Sequence, residues 1–71
     1  MEIIAITTDF IKLQDLLKLE NLTDTGGEAK LAIQDGQVCV NGEVCLQRGR
    51  KVRPGDIVSF RGQDYTVAYA P

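Results

Sequence analysis

TGGEAKLAIQDGQVCVNG, residues Thr25 to Gly42, changes its hydrophobic period midway. Ala29, Ala32 and Ile33 fall three and four apart, the spacing that puts them on one stripe of a helix. Thr25 and Glu28 make a capping box at its start. The Thr25 hydroxyl can accept from the Glu28 amide while the Glu28 side chain reaches back. Gly36 supplies the stop. Beyond it the period falls to two, with Val38 and Val40 alternating, and Asn41-Gly42 is a strong hairpin signal.

Working outward, residues 2–7 contain β-branched Ile3, Ile4, Ile6 and Thr7, lack helical spacing and predict a strand. Leu13, Leu16, Leu17 and Leu19 predict a short first helix, broken by Asn21 to Asp24. Val44 and Leu46 resume the alternation after the hairpin. Pro54-Gly55 is a turn pair, Pro presetting φ and Gly permitting φ > 0. Residues 56–60 and 65–69 predict two further strands around Gly62. The 71 residues contain no repeat or linker, and we expect one domain over 1–71 with one thin core.

Two registers are open at the hairpin. A two-residue loop pairs Cys39 with Val44 and separates Cys39 from Cys45. A three-residue loop pairs Val40 with Val44, gathers Val38, Val40, Val44 and Leu46 on one face and sets Cys39 opposite Cys45. The second matches the hydrophobic pattern better and is the expectation. The two thiols are expected to stay reduced in a cytoplasmic protein.

No catalytic constellation stands out. The chain has no histidine, the commonest acid–base group near neutral pH. Cysteines in mid-strand have neither a base nor a helix N-terminus to activate them. Two cysteines without histidine cannot complete a structural zinc site. We therefore expect no enzyme, metal, cofactor or small-molecule substrate. The opening MEIIAI is too short for a membrane span and lacks the basic start of a signal peptide, so no membrane partner is expected.

Charge is unevenly distributed. The chain carries a net charge of −2, yet Arg48, Arg50, Lys51, Arg53 and Arg61 meet only Asp56 between residues 48 and 61. That segment is +4 and the remainder −6. A basic patch on an acidic body suits local phosphate contact rather than general coating of nucleic acid. A second phosphate candidate is the start of the second helix, where Gly26 and Gly27 leave backbone N–H groups open, although a glycine pair taken alone is explained as well by close packing or by the preceding turn. Gly26, Lys30 and Gln34 recur every four residues on the face opposite Ala29, Ala32 and Ile33.

The order of these parts carries a resemblance. Lys12-Leu13, Leu16-Leu17, Thr25 to Lys30, Ile33, Gly36, Val38, Val40-Asn41-Gly42 and Arg53-Pro54-Gly55-Asp56-Ile57-Val58 together resemble the RNA-binding domain named after small-subunit ribosomal protein S-four. The likeness runs from about residue 11 to residue 60, and the short length resembles the stand-alone bacterial form. It implies an α+β fold, the alpha-L motif, with two short helices packed on a small, mostly antiparallel twisted sheet. It also implies binding of structured RNA, and we expect ribosomal RNA as the partner of a monomeric protein. Lys12 stands where the family has the first arginine of an Arg-Leu-Asp opening, and Gln14 replaces the aspartate. Thr25 matches the serine that opens helix two. Gly26 takes the place of the principal arginine, while Lys30 keeps the basic position one turn later.

The resulting RNA-contact set is Lys12, Thr25, Gly26, Gly27, Lys30, Gln34, Arg48, Arg50, Lys51 and Arg53. Backbone amides at Gly26 together with Arg48, Arg50, Lys51 and Arg53 of the basic loop are expected to offset the arginine absent at Gly26. Phe10 and Phe60 are expected in the core. Two other readings use the same residues. A protein-interaction module would offer the basic loop to an acidic surface. A β-grasp sulfur carrier shares Val-Asn-Gly-Glu and a late Gly-Asp turn, but this chain ends in Ala70-Pro71 instead of the reactive Gly-Gly, and its helix pair is out of place.

Overall fold

Alternation along the strands sorts side chains onto two faces of a five-stranded sheet, and two helices close one of them. The computed structural model describes all 71 residues. The elements are β1 (Glu2–Ile6), β2 (Ile11–Lys12), α1 (Leu13–Leu19), α2 (Gly26–Gln34), β3 (Val38–Val40), β4 (Glu43–Val44), β5 (Lys51–Val52), β6 (Ile57–Phe60) and β7 (Gln63–Tyr69). The sheet order is β1-β7-β6-β3-β4, with only the β1–β7 pair parallel. A separate antiparallel ribbon joins β2 to β5. The architecture is the expected α+β one.

Ile4, Ile6, Val38, Val40, Val58, Phe60, Tyr65 and Val67 point inward from the strands and meet Leu13, Leu16, Leu17, Ala29, Ala32 and Ile33 from the helices. A seven-residue helix such as α1 is too short to persist alone. Its three buried leucines hold it, each contributing roughly 1.5–3 kcal/mol by leaving water. Both helices end on a left-handed residue. Asn21 (φ 56°) follows α1 and Gly36 (φ 77°) follows α2. In each the next two amides close back on the last turn, Asn21 to Lys18 and Leu22 to Leu17, then Gly36 to Ile33 and Gln37 to Ala32.

The capping box forms with one change. Glu28 N–H donates to Thr25 Oγ1 at 3.1 Å, as expected. The Glu28 carboxylate reaches past Thr25 and accepts from the amide of Asp24 at 3.4 Å.

The hairpin register is corrected. Cys39 pairs with Val44 and Val40 with Glu43 across a two-residue loop. Asn41 (φ 53°) and Gly42 (φ 84°) both adopt the left-handed conformation of a type I′ turn, whose twist matches that of the strands. Cys45, not Val44, therefore continues the inner face, its N–H donating to Val38 O at 2.9 Å. Val44 and Leu46 stay exposed. Hydrophobic pattern favoured the other register because cysteine is read as ambivalent, yet buried free cysteine packs as a small apolar group. Cys39 and Cys45 lie on opposite faces and are free thiols.

Asp56 is drawn into the turn before β6, which begins at Ile57. The segment Arg53-Pro54-Gly55-Asp56 closes with Asp56 N–H donating to Arg53 O at 3.0 Å, and Gly55 takes φ 96°. No helix is long and apolar enough to cross a membrane.

Candidate nucleic-acid interface

The basic stretch is anchored by its backbone. The first amides of a helix lack partners within it, and Lys12 provides no side-chain cap to α1. Instead Leu13 N–H donates to Arg50 O at 2.9 Å and Gln14 N–H to Arg48 O at 3.0 Å. These bonds turn the loop carbonyls inward against the helix. Arg50 N–H closes a turn onto Gln47 O at 3.1 Å, and the side chains of Arg48, Arg50, Lys51 and Arg53 are all exposed.

The β2–β5 ribbon then divides apolar from charged groups. Ile11 pairs with Val52 and Lys12 with Lys51. Val52 is fully buried and Ile11 packs against the core. With a period of two, Lys12, Lys51 and Arg53 fall on the opposite face, and continuing the register sets Phe10 across from Arg53. Like charges directly opposite on paired strands oppose folding. Lys12 and Lys51 nevertheless face each other, with no carboxylate within 4.0 Å. The molecule's one ion pair is Lys18–Asp15 at 3.9 Å. An array of this kind is compensated when an anion lies across it.

Phe10 corrects the expectation for a core residue. It is half-buried, with Lys51 Nζ 4.9 Å and Arg53 Cζ 5.7 Å from its ring centre. Phe60 is buried as expected, and Arg61 Cζ lies 4.8 Å from its ring at the β6–β7 turn.

Gln14 connects the loop to α2. Its backbone bonds Arg48, and its side-chain Nε2 lies 3.5 Å from where a Cβ on Gly26 would stand. Lys18, one turn along α1, brings Cδ to 3.7 Å and Nζ to 3.9 Å of the same point. The position that resembles the family's arginine is thus roofed by an amide and an ammonium from α1. Gly27 is open apart from Thr25 Oγ1 at 3.9 Å, and that hydroxyl is engaged in the cap. Lys30 is half-buried one turn beyond Gly26. Gln34 stands about 12 Å along the axis from Gly26, at the other end of α2.

The loop and the start of α2 are therefore neighbours through α1. Phe10, Gln14 and Lys18 belong to this surface although the charge pattern does not single them out. Gln14 and Lys18 share a face by their i, i+4 spacing, whereas Phe10 becomes visible only once the ribbon register is known. Behind the loop an open cleft of about 310 Å³ is lined by Glu43, Val44, Cys45, Leu46, Gln47 and Arg50.

Two helices on a mostly antiparallel sheet, with a cationic ribbon at the start of the first helix, define an RNA-binding protein of the alpha-L class. The chain belongs to the S4 domain family, which matches residues 4–68. It is 44% identical over 57 residues to YbcJ of Escherichia coli (strain K12), covering 80% of this chain and 81% of that protein. To RlbA of Bacillus subtilis (strain 168), named as a probable ribosome maturation protein, it is 41% identical over 59 residues, 83% of each. The solution structure of E. coli YbcJ, described as revealing an alfaL motif involved in RNA-binding, superposes with a TM-score of 0.72 at 38% identity, covering 96% of this chain and 87% of that one.

Proposed function

We propose that this chain is a non-enzymatic, monomeric, cytoplasmic protein that holds structured RNA, ribosomal RNA foremost, across the outer face of the β2–β5 ribbon and the start of α2. The observation that carries the reading is the Lys12–Lys51 pair, two cations set opposite each other beside Arg48, Arg50 and Arg53, none of whose charged groups lies within 4.0 Å of a carboxylate. Double-stranded RNA is read mostly through phosphates, 2′-hydroxyls and shape, which suits a charged ribbon with few aromatics. The ribosome maturation name of the B. subtilis relative supports ribosomal RNA as the target.

Affinity for ribosomal RNA fragments, followed by fluorescence anisotropy across a salt series, tests it. With four to five phosphates engaged, log affinity falls against log salt with a slope of roughly −3 to −4.5. Arg50→Glu with Lys51→Glu abolishes binding while leaving the fold intact by circular dichroism. Wild-type affinity in that double variant rejects the placement.

Exposed Val44 on the edge strand β4 and exposed Leu46 just beyond it favour a second reading, a protein partner seated beside the loop. A partner that co-purifies after nuclease treatment supports that reading, and one released by the nuclease supports RNA.

A further inference from the structure

We propose that Phe10, Lys51 and Arg53 form a preassembled subsite for two successive phosphates of one RNA strand, with Phe10 as the positioning residue. The inference rests on the RNA-binding reading above and adds to it where the strand is gripped and by what device.

The geometry begins with the link before β2. Thr8 Oγ1 donates to Phe10 O at 2.7 Å, closing a local turn that delivers Phe10 to the ribbon. The next residue, Ile11, is fixed by pairing with buried Val52. Phe10 therefore cannot rotate onto the inner face without breaking that pair. Its ring lies under both neighbouring cations, with the Lys51 ammonium 4.9 Å and the Arg53 guanidinium 5.7 Å from one centre.

Long basic side chains on a surface ordinarily sample many rotamers, and immobilising each one on binding costs conformational entropy. A ring face attracts both charges electrostatically and narrows that sampling beforehand. The backbone is held as well. Arg53 N–H donates to Asp56 Oδ2 at 2.9 Å, and Lys51 is paired with Lys12. Lys51 and Arg53 stand two residues apart on one face of one segment, so their charges are presented in line and side by side. That arrangement meets consecutive phosphates on a strand running along β5. Lys acts as a point charge and Arg as a two-pronged donor, so the pair also gives the strand a polarity. Neither cation has an acidic partner within 4.0 Å to displace.

The experiment compares Phe10→Leu, Phe10→Tyr and Lys51→Glu/Arg53→Glu with wild type, using an RNA hairpin as probe over a salt series. Phe10→Leu keeps apolar bulk and removes the ring. It is expected to bind about tenfold more weakly, with the magnitude of the salt slope reduced by up to about 1.5 as both contacts loosen. Phe10→Tyr restores both affinity and slope. Unchanged binding in Phe10→Leu overturns the proposal. So does weaker binding with the wild-type slope, which marks a packing effect alone. Full affinity in the double-glutamate variant instead defeats the RNA-binding reading of this surface. A second measurement is independent of the leucine variant's folding. In free wild-type protein the Lys51 ε-methylene and Arg53 δ-methylene protons should be shifted upfield by the ring, and random-coil shifts there overturn the subsite.

Discussion

Asp56 couples two turns that are distant in sequence. Its Oδ2 accepts from Arg53 N–H at 2.9 Å and its Oδ1 from Asn41 Nδ2 at 3.0 Å. Asn41 in turn accepts from Ile57 N–H at 2.9 Å and donates its own amide to Ile57 O at 2.7 Å. The asparagine of the hairpin and the aspartate of the Pro-Gly turn are therefore one hydrogen-bonded unit, and it orients Arg53. The Arg53 backbone N–H is the largest cause holding the Asp56 carboxyl below its ordinary 3.8, followed by Asn41, while burial opposes them. Because the folded value is the lower one, the folded state binds fewer protons, and the stabilisation is complete above about 3.8 and lost as pH falls through the folded value. Asp56→Ala should cost about 1 kcal/mol near neutral pH, allowing for solvent screening. In urea titrations at stepped pH, the gap between the two proteins should narrow below 3.8. A gap that stays constant into strong acid refutes the assignment.

Among the elements, the β3–β4 hairpin and the β2–β5 ribbon show what a short element demands of its sequence. Gly42 adopts φ +84° in open space, so a methyl group there meets no neighbour and the cost is conformational. Gly42→Ala should destabilise the protein by about 1 kcal/mol. Gly49, also in open space but without positive φ, should accept alanine with a change within about 0.5 kcal/mol. Equal losses at the two glycines in thermal unfolding would contradict the turn assignment. The second helix with its caps at Thr25 and Gly36 and the Asn41-Gly42 turn were legible because each is set by chemistry within a few residues, and the first helix was legible from the spacing of the leucines that bury it. The register was not, since it depended on whether Cys45 or Val44 faces the core, a choice made by packing across the sheet. The ribbon left no mark either. Two-residue strands have no periodicity, and the pairing of Ile11 with Val52 spans the length of both helices and the hairpin. The bases of the candidate site were therefore visible as charge in the sequence and Gln14 and Lys18 as one helix face, while Phe10 joined them only through the ribbon register.

Across the whole molecule, the ribbon's field competes with that of an acidic body. The longest dimension is 32 Å. A Debye length of about 30 Å at 0.01 M salt lets every carboxylate act on an approaching polyanion, whereas about 8 Å at 0.15 M confines the interaction to groups beside the ribbon. Glu2 opens β1, at the end of that strand away from the Phe10 link, and Asp35 caps the C-terminus of α2. Both are exposed, and neither is bonded to the ribbon. Glu2→Gln with Asp35→Asn removes two negative charges without touching a phosphate contact. The variant should bind RNA more tightly than wild type at about 0.01 M salt, chiefly through faster association, and the advantage should vanish near 0.15 M. Its fold should not suffer, because a carboxylate at a helix C-terminus opposes the helix dipole and Asp35→Asn relieves that. Stopped-flow association rates at the two salt concentrations decide the matter. An advantage that persists at 0.15 M would mean that Glu2 or Asp35 lies within the RNA footprint, and the interface would then extend beyond the ribbon and the start of α2.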